Sequence, residues 1–294
     1  MSLMLGNINN YTGFILNAMK AMYAYRLRMI IWIFYDFIIL FVQYYLWNAI
    51  FSSSGGSLMD ISLSQYLSYV AFGLVFSRLV SSDIDGEIAQ EIKNGTIAMH
   101  LLKPYSYFGA MTAQRVGYTV GQAIALIPVT LTILFLVDIP PLSPFLLGAT
   151  LVSMLLTYAL VTVLQFILGI LAFWLTNYWG LFLFKQNIIA LFSGELIALN
   201  LLFRLGRSGI PNFPVPWIPE GVMQNIFLGL GWISYLLPFQ AMAYTPSGIF
   251  TGMIQGPWPV LGHVALQIFW LMALSGLASH TWKRAQRHIT ILGG

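Results

Sequence analysis

Three observations predict an all-α integral membrane fold. Of 294 residues, 59% are hydrophobic and 7% charged, with a mean hydropathy of +0.80, whereas a typical soluble domain carries roughly 25% charged residues. Apolar stretches of about 20 residues recur, each long enough to cross a hydrocarbon core about 30 Å thick. Basic residues gather on alternate loops, as the positive-inside rule requires of a multi-pass chain. The length leaves room for about six spans in one domain covering residues 1–294, and none for a soluble catalytic domain.

The first ten residues lack the basic start and cleavage pattern of a signal peptide, so the N-terminus is expected to stay attached. Over residues 11–28, Phe14, Ile15, Ala18, Met22 and Tyr25 share one helical arc, with Asn17, Lys20 and Arg28 opposite. That pattern predicts an interfacial helix on an anionic surface. Span one covers 29–51, and 52–60 forms a Ser/Gly-rich loop. Span two covers 63–80, where Arg78 can snorkel. Asp36 lies about two turns inside span one and needs a basic partner or water, because a bare charge at mid-bilayer costs roughly 2.5–3.5 kcal/mol.

Span three covers 107–136, with Arg115 near its inner end and Pro128 as a kink. Residues 138–144 (DIPPLSP) form an outer turn. Span four covers 145–173 and ends in the interfacial aromatics Trp174, Tyr178 and Trp179. Span five covers 181–203 and holds Lys185 near its inner end and Glu195 well inside, beneath the cover of residues 225–250. The prolines of 204–220 predict a loop. Residues 225–250 are interrupted by Gly229, Gly231, Pro238 and Pro246. If they crossed the membrane, Lys283, Arg284 and Arg287 after span six (259–282) would fall outside. They are read instead as two short helices that enter the outer leaflet and return. Lys20, Arg26, Arg28, Arg78, Lys93, Lys103, Arg115, Lys185 and the C-terminal three then lie inside, and Arg204 and Arg207 outside. Both termini are expected in the cytoplasm, with the chain in the plasma or inner membrane.

The longest polar interruption is residues 81–106. Asp83, Glu87 and Glu91 recur every four residues, and Ile84, Ile88 and Ile92 follow one residue later, giving one helix adjacent acidic and apolar faces. Such a helix is expected to lie on the membrane surface and dock a partner through both stripes. Asn94-Gly95 predicts a left-handed C-cap, Thr96 restarts the chain, and Pro104 with Ser106 closes the segment and caps the next helix. A solvated loop is the plainer alternative, though it has no use for the isoleucines.

The acids followed by Gly95-Thr96, Leu101-Leu102 and Pro104, just after a second span, resemble the cytoplasmic loop of ABC-2-type permeases. The interfacial helix and the six-span layout match that family over nearly the whole chain. Leu237-Pro238-Phe239 and Tyr244-Thr245-Pro246 before the last span look most like a bacterial exporter branch in which two different permeases share an ATPase. The resemblance implies that residues 81–106 carry the coupling helix, seated in a cleft of an ATP-binding subunit. Asp83, Ile84, Glu87, Ile88, Glu91, Ile92, Gly95, Thr96, Leu101 and Pro104 then become candidate coupling residues. It also implies two ATPase copies holding ATP and Mg, a second permease of the same or a sister kind, and export from the cytoplasm or inner leaflet.

Among catalytic patterns, the sequence holds no G-x-x-x-x-G-K-[ST], HExxH or G-x-S-x-G, so ATP hydrolysis is expected on a separate chain. Zero cysteines exclude disulfides and thiolate metal sites. The histidines lack ligand spacing, and no cofactor or metal is expected in this chain. The scattered basic residues form no nucleic-acid patch. Asp36, Glu195, Pro238 and Pro246 are candidate pathway or gate residues. The aromatic content of 15% favours amphiphilic or lipid-like cargo over ions. An intramembrane enzyme using Asp36 and Glu195 as acid and base, or an ATP-independent carrier or channel, stays open at this point.

Overall fold

Backbone groups inside a bilayer find no water, so a spanning chain must satisfy them within helices. The computed structural model, which describes residues 8–53, 57–58, 61–138, 143–175, 177–195, 197–208 and 219–288, is accordingly helical almost throughout. In order the elements are α1 (Ile8–Ala24), α2 (Arg26–Ser53), β1 (Ser57–Leu58), β2 (Ile61–Ser62), α3 (Leu63–Val80), α4 (Ile84–Lys93), α5 (Ile97–Leu101), α6 (Tyr107–Ala125), α7 (Ile127–Leu136), α8 (Pro144–Ile170), α9 (Tyr178–Phe192), α10 (Leu199–Ser208), α11 (Glu220–Leu236), α12 (Tyr244–Phe250) and α13 (Pro257–Ala285). Short 3-10 turns occupy Leu171–Phe173, Pro238–Ala241 and Gln286–His288.

Among the described residues, four stretches are long and apolar enough to cross a membrane: Arg26–Ser53, Leu63–Lys93, Pro144–Phe173 and Pro257–Ala285. The pair α6 and α7, bent by 47°, supplies a fifth if it is one span. Leu126 ends α6, and Pro128, which has no N–H to give, sits in the first turn of α7 where none is needed. The 31 residues of Leu63–Lys93 rise about 46 Å at 1.5 Å per residue, more than a hydrocarbon core needs. The stretch is two helices, α3 and α4, joined through Ser81–Asp83.

Several sequence expectations change. The continuous span 181–203 is absent: α9 stops at Phe192, and Gly194 turns with φ +83° before α10 begins at Leu199. The loop expected at 204–220 is helical through Ser208, because its first proline is Pro211; residues 209–218 lie outside those described. The expected loop at 52–60 contains β1, which pairs antiparallel with β2 through Ser57–Ser62 and Leu58–Ile61; 54–56 and 59–60 lie outside. So does most of the 138–144 turn, of which Asp138 accepts from Ser64 Oγ at 2.8 Å on its carboxylate. The helix read at 11–28 is Ile8–Ala24, and Arg26 and Arg28 open α2.

Rather than only lying on lipid, α1 runs along α6. Tyr11 meets Gly109, Ile15 and Ala18 meet Gly117, and Met22 meets Gly121. At Gly117 an added Cβ would stand 2.3 Å from the Ile15 carbonyl oxygen, so the close backbone approach requires glycine.

Buried apolar side chains form two cores. One gathers Trp47, Phe51, Tyr66, Tyr69, Ile133, Leu199 and Ile249, and the other Ile84, Ile88, Met111, Phe166, Ile170 and Trp282. They define opposite ends of the bundle. Ser106 N–H donates to Tyr11 Oη, and Trp282 stacks on Tyr107 at 5.5 Å. Both described chain ends thus lie with α4.

Candidate functional site

At 100° per residue, Ile84, Ile88, Ile92, Asp85 and Ala89 fall within one arc of α4. Ile84, Asp85, Ile88 and Ala89 are all buried, against α8 and the 3-10 turn that follows it. A Cβ on Gly169 of α8 would lie 2.8 Å from Ile88 Cβ and 3.0 Å from Asp85 O. The isoleucine stripe therefore holds α4 on its own membrane domain. This corrects the expectation that it meets a partner: a neighbouring helix with a glycine at the crossing has taken that face.

Asp85, outside the acid stripe read from sequence, is the centre of the arrangement. Its Oδ2 accepts from Lys185 Nζ and from Tyr178 Oη, both of α9. The side chains of Lys185 and Asp85 are 7% and 0% exposed, so the pair is desolvated, and removing one partner strands a buried charge at about 3–5 kcal/mol. The acid stripe also turns inward. Glu87 accepts from Gln114 Nε2 at 2.6 Å and Tyr118 Oη at 3.0 Å, and Glu91 from Tyr107 Oη at 2.7 Å, all of α6. Glu91 lies 3.5 Å from His100 Nε2 as well. Asp83 alone of the stripe is exposed, 3.9 Å from Arg28.

The root of α4 is fixed just as firmly. Arg115, fully buried, donates to Val80 O, to Thr162 Oγ1 and, at 3.2 Å, to Tyr158 O, with its guanidinium 4.2 Å over the Tyr158 ring. The Gln165 side chain donates to Ser82 O and accepts from Ser82 Oγ, both at 2.6 Å. α4 is thereby joined to α6, α8 and α9 at once.

What faces outward is the far tip. Lys93, Asn94, Gly95, Thr96, Met99, Leu102, Lys103 and Pro104 are exposed, Met99 at 61% and Leu102 at 86%. Gly95 adopts φ +74° with open space around it, the left-handed cap expected from Asn94-Gly95. Thr96 Oγ1 donates back to Glu91 O at 3.3 Å. Ile97 is buried and Leu101 half-buried on the inner side of α5. Ser106 caps α6 by accepting from Gly109 N–H at 3.3 Å.

The pathway candidates do not form one cluster. Asp36 finds the basic partner its burial demands: Arg78 Nε donates to Oδ1 at 2.6 Å, between Trp32 and Tyr35. Arg78 therefore turns to Asp36 rather than snorkelling. Glu195 sits in the break between α9 and α10, keeping some surface yet closely surrounded by protein, and Tyr244 of the 225–250 segment bonds the nearby Ser193. The break itself is closed by Tyr69 Oη donating to Gly194 O at 2.6 Å and Tyr244 N–H to Ser193 O at 3.0 Å. Pro238 opens the turn between α11 and α12, and Pro246 sits in the first turn of α12; both are buried. There Gln267 Nε2 and Thr157 Oγ1 donate to Ala241 O, at 3.0 and 2.8 Å.

Among the described residues, no group of three or more His, Cys, Asp or Glu side chains could hold a metal ion. No curated protein and no solved structure matches the chain. A family model described as ABC-2 family transporter protein matches residues 37–225, from α2 through the first turns of α11. That match takes in the whole α4 assembly. The chain belongs to the ABC-2 transporter family, as a multi-pass membrane component that works with a separate ATP-binding subunit.

Proposed function

We propose that this chain is a permease subunit of an ATP-driven exporter, paired with a second permease, its own copy or a sister chain, and driven by two ATP-binding subunits. ATP and Mg belong to those subunits. The observation that carries the reading is the three-way attachment of α4: one short helix bonded to α6, α8 and α9 can convert a push at its tip into movement of three membrane helices. In this reading the exposed tip, Lys93–Thr96 with Met99 and Leu102, meets the ATP-binding subunit, while Ile84, Ile88, Glu87 and Glu91 transmit the displacement inward. The end carrying α4 is cytoplasmic, on the positive-inside argument.

Six crossings follow if α9 and α10 together make the fifth and α13 the last, with α11 and α12 entering and leaving one leaflet. Thr251 O accepts from Gln65 Nε2 at 3.3 Å at the start of α3, which supports a return to the side from which α11 came. An exposed Glu195 cannot face lipid cheaply, so the second permease or a water-filled path covers it. The cargo is amphiphilic or lipid-like and leaves the cytoplasm or inner leaflet.

Purification tests the reading. The tagged chain from its native membrane should bring an ATP-binding subunit whose hydrolysis rises on reconstitution; a chain that purifies without one and transports unaided would contradict it.

A further inference from the structure

From Ile84 to Ser106 the chain turns charge of one sign outward. The acids of this segment face in: Asp85 meets Lys185 and Tyr178, Glu87 meets Gln114 and Tyr118, and Glu91 meets Tyr107 and His100. Lys93 closes α4 and Lys103 follows α5, and both are exposed. Among the described residues neither forms an ion pair, and residues 1–7 and 289–294, outside those described, contain no Asp or Glu. Between the two lysines in sequence stand the exposed apolar side chains Met99 and Leu102. An anchor on a lipid surface needs a long apolar face. α5 is five residues long and turns these two apolar side chains outward, a patch sized for a socket in a folded protein.

We propose that the socket on the ATP-binding subunit is apolar at its floor, where Met99 and Leu102 enter, and carries carboxylates at its rim, where they pair with Lys93 and Lys103. Apolar anchors supply the affinity of such a contact, and rim charges steer association and fix register. The inference rests on the reading of the tip as the docking surface and adds the chemistry of its counterpart. It inverts the expectation from sequence, in which this chain supplied the acids.

The complex purified from its native membrane is treated with a water-soluble carbodiimide, which joins an amine to a carboxylate where the two are in contact, and the products are mapped by mass spectrometry. An amide between Lys93 or Lys103 and an Asp or Glu of the ATP-binding subunit is expected. Re-binding of the released subunit to the full chain, in nanodiscs of phosphatidylcholine with and without phosphatidylglycerol, then gives Kd. Lys93→Gln with Lys103→Gln should weaken binding about tenfold at low salt and flatten its salt dependence. Leu102→Gln should weaken it at every salt concentration. Lys283→Gln with Arg284→Gln, which removes equal charge from exposed positions in the last turn of α13, should change neither. No amide and an unaltered salt dependence in the double lysine variant, while Leu102→Cys still links to the subunit through a thiol cross-linker, would overturn the carboxylate rim and leave the docking reading in place. A lysine effect confined to nanodiscs with phosphatidylglycerol would assign both side chains to the membrane and overturn it equally. Loss of the Leu102→Cys link as well would remove the docking reading itself.

Discussion

Lys185 on α9 and Asp85 on α4 are bonded across 100 residues of sequence and are both nearly inaccessible. Desolvating two charges repays its cost only when each keeps its partner, so the pair fixes α4 to α9 in one arrangement. Lys185→Met should lower stability in thermal unfolding by about 3–5 kcal/mol. Adding Asp85→Leu should recover much of that loss, since no bare charge remains. A single variant as stable as the parent would show that the pair is not a tie.

Gly169 makes the matching prediction for α8. Gly169→Val places branched carbons into Ile88 and the Asp85 carbonyl, and overpacking of this kind costs about 1–3 kcal/mol. The expected outcome is weakened transport with part of the loss recovered by Ile88→Ala, which makes room. Full transport in Gly169→Val would mean that α4 need not lie against α8.

Gly95 has no neighbour for a side chain to strike, so any effect of substitution comes through its left-handed backbone alone. Gly95→Val should cost about 1–2 kcal/mol of local strain and reduce coupling of hydrolysis to export, with little change in unfolding of the membrane core. Coupled activity at the parent level would remove the tip from the mechanism.

Much of this architecture was legible. Four of the expected spans followed from apolar length, the bend near Pro128 from its missing N–H, and the cap at Gly95 from Asn-Gly. Asp85 was legible too, though missed: the helical wheel puts it between Ile92 and Ala89, on the buried arc. What a single sequence could not show was its partner, because nothing local links residue 85 to residue 185. The acid stripe read as a face for a partner, since only the fold brings Gln114, Tyr118 and Tyr107 to meet it. The break after Phe192 was masked by the apolar runs before Ser193 and after Glu195, and the conformation of Gly194 between them decides it.

Glu195 was expected beneath the cover of residues 225–250, and Tyr244 of that segment bonds the residue two before it while Glu195 keeps some surface of its own. We propose that this surface belongs to the export path. Glu195→Gln, which keeps size but removes charge, should leave assembly and ATP hydrolysis intact and lower export of a cationic or polar-headed cargo about tenfold, the worth of one charged hydrogen bond. Unchanged export would return Glu195 to a structural role.

The account turns on which surface meets the ATP-binding subunit, and the absence of cysteine allows a direct measurement. Single cysteines at Leu102, on the α4–α5 tip, and at Trp258, 81% exposed at the start of α13, are treated in the assembled complex with a short thiol cross-linker. Leu102→Cys should form an adduct with the ATP-binding subunit and Trp258→Cys none. An adduct at Trp258, or none at Leu102 in a complex that co-purifies, would contradict the assignment of α4 as the helix that couples ATP to transport.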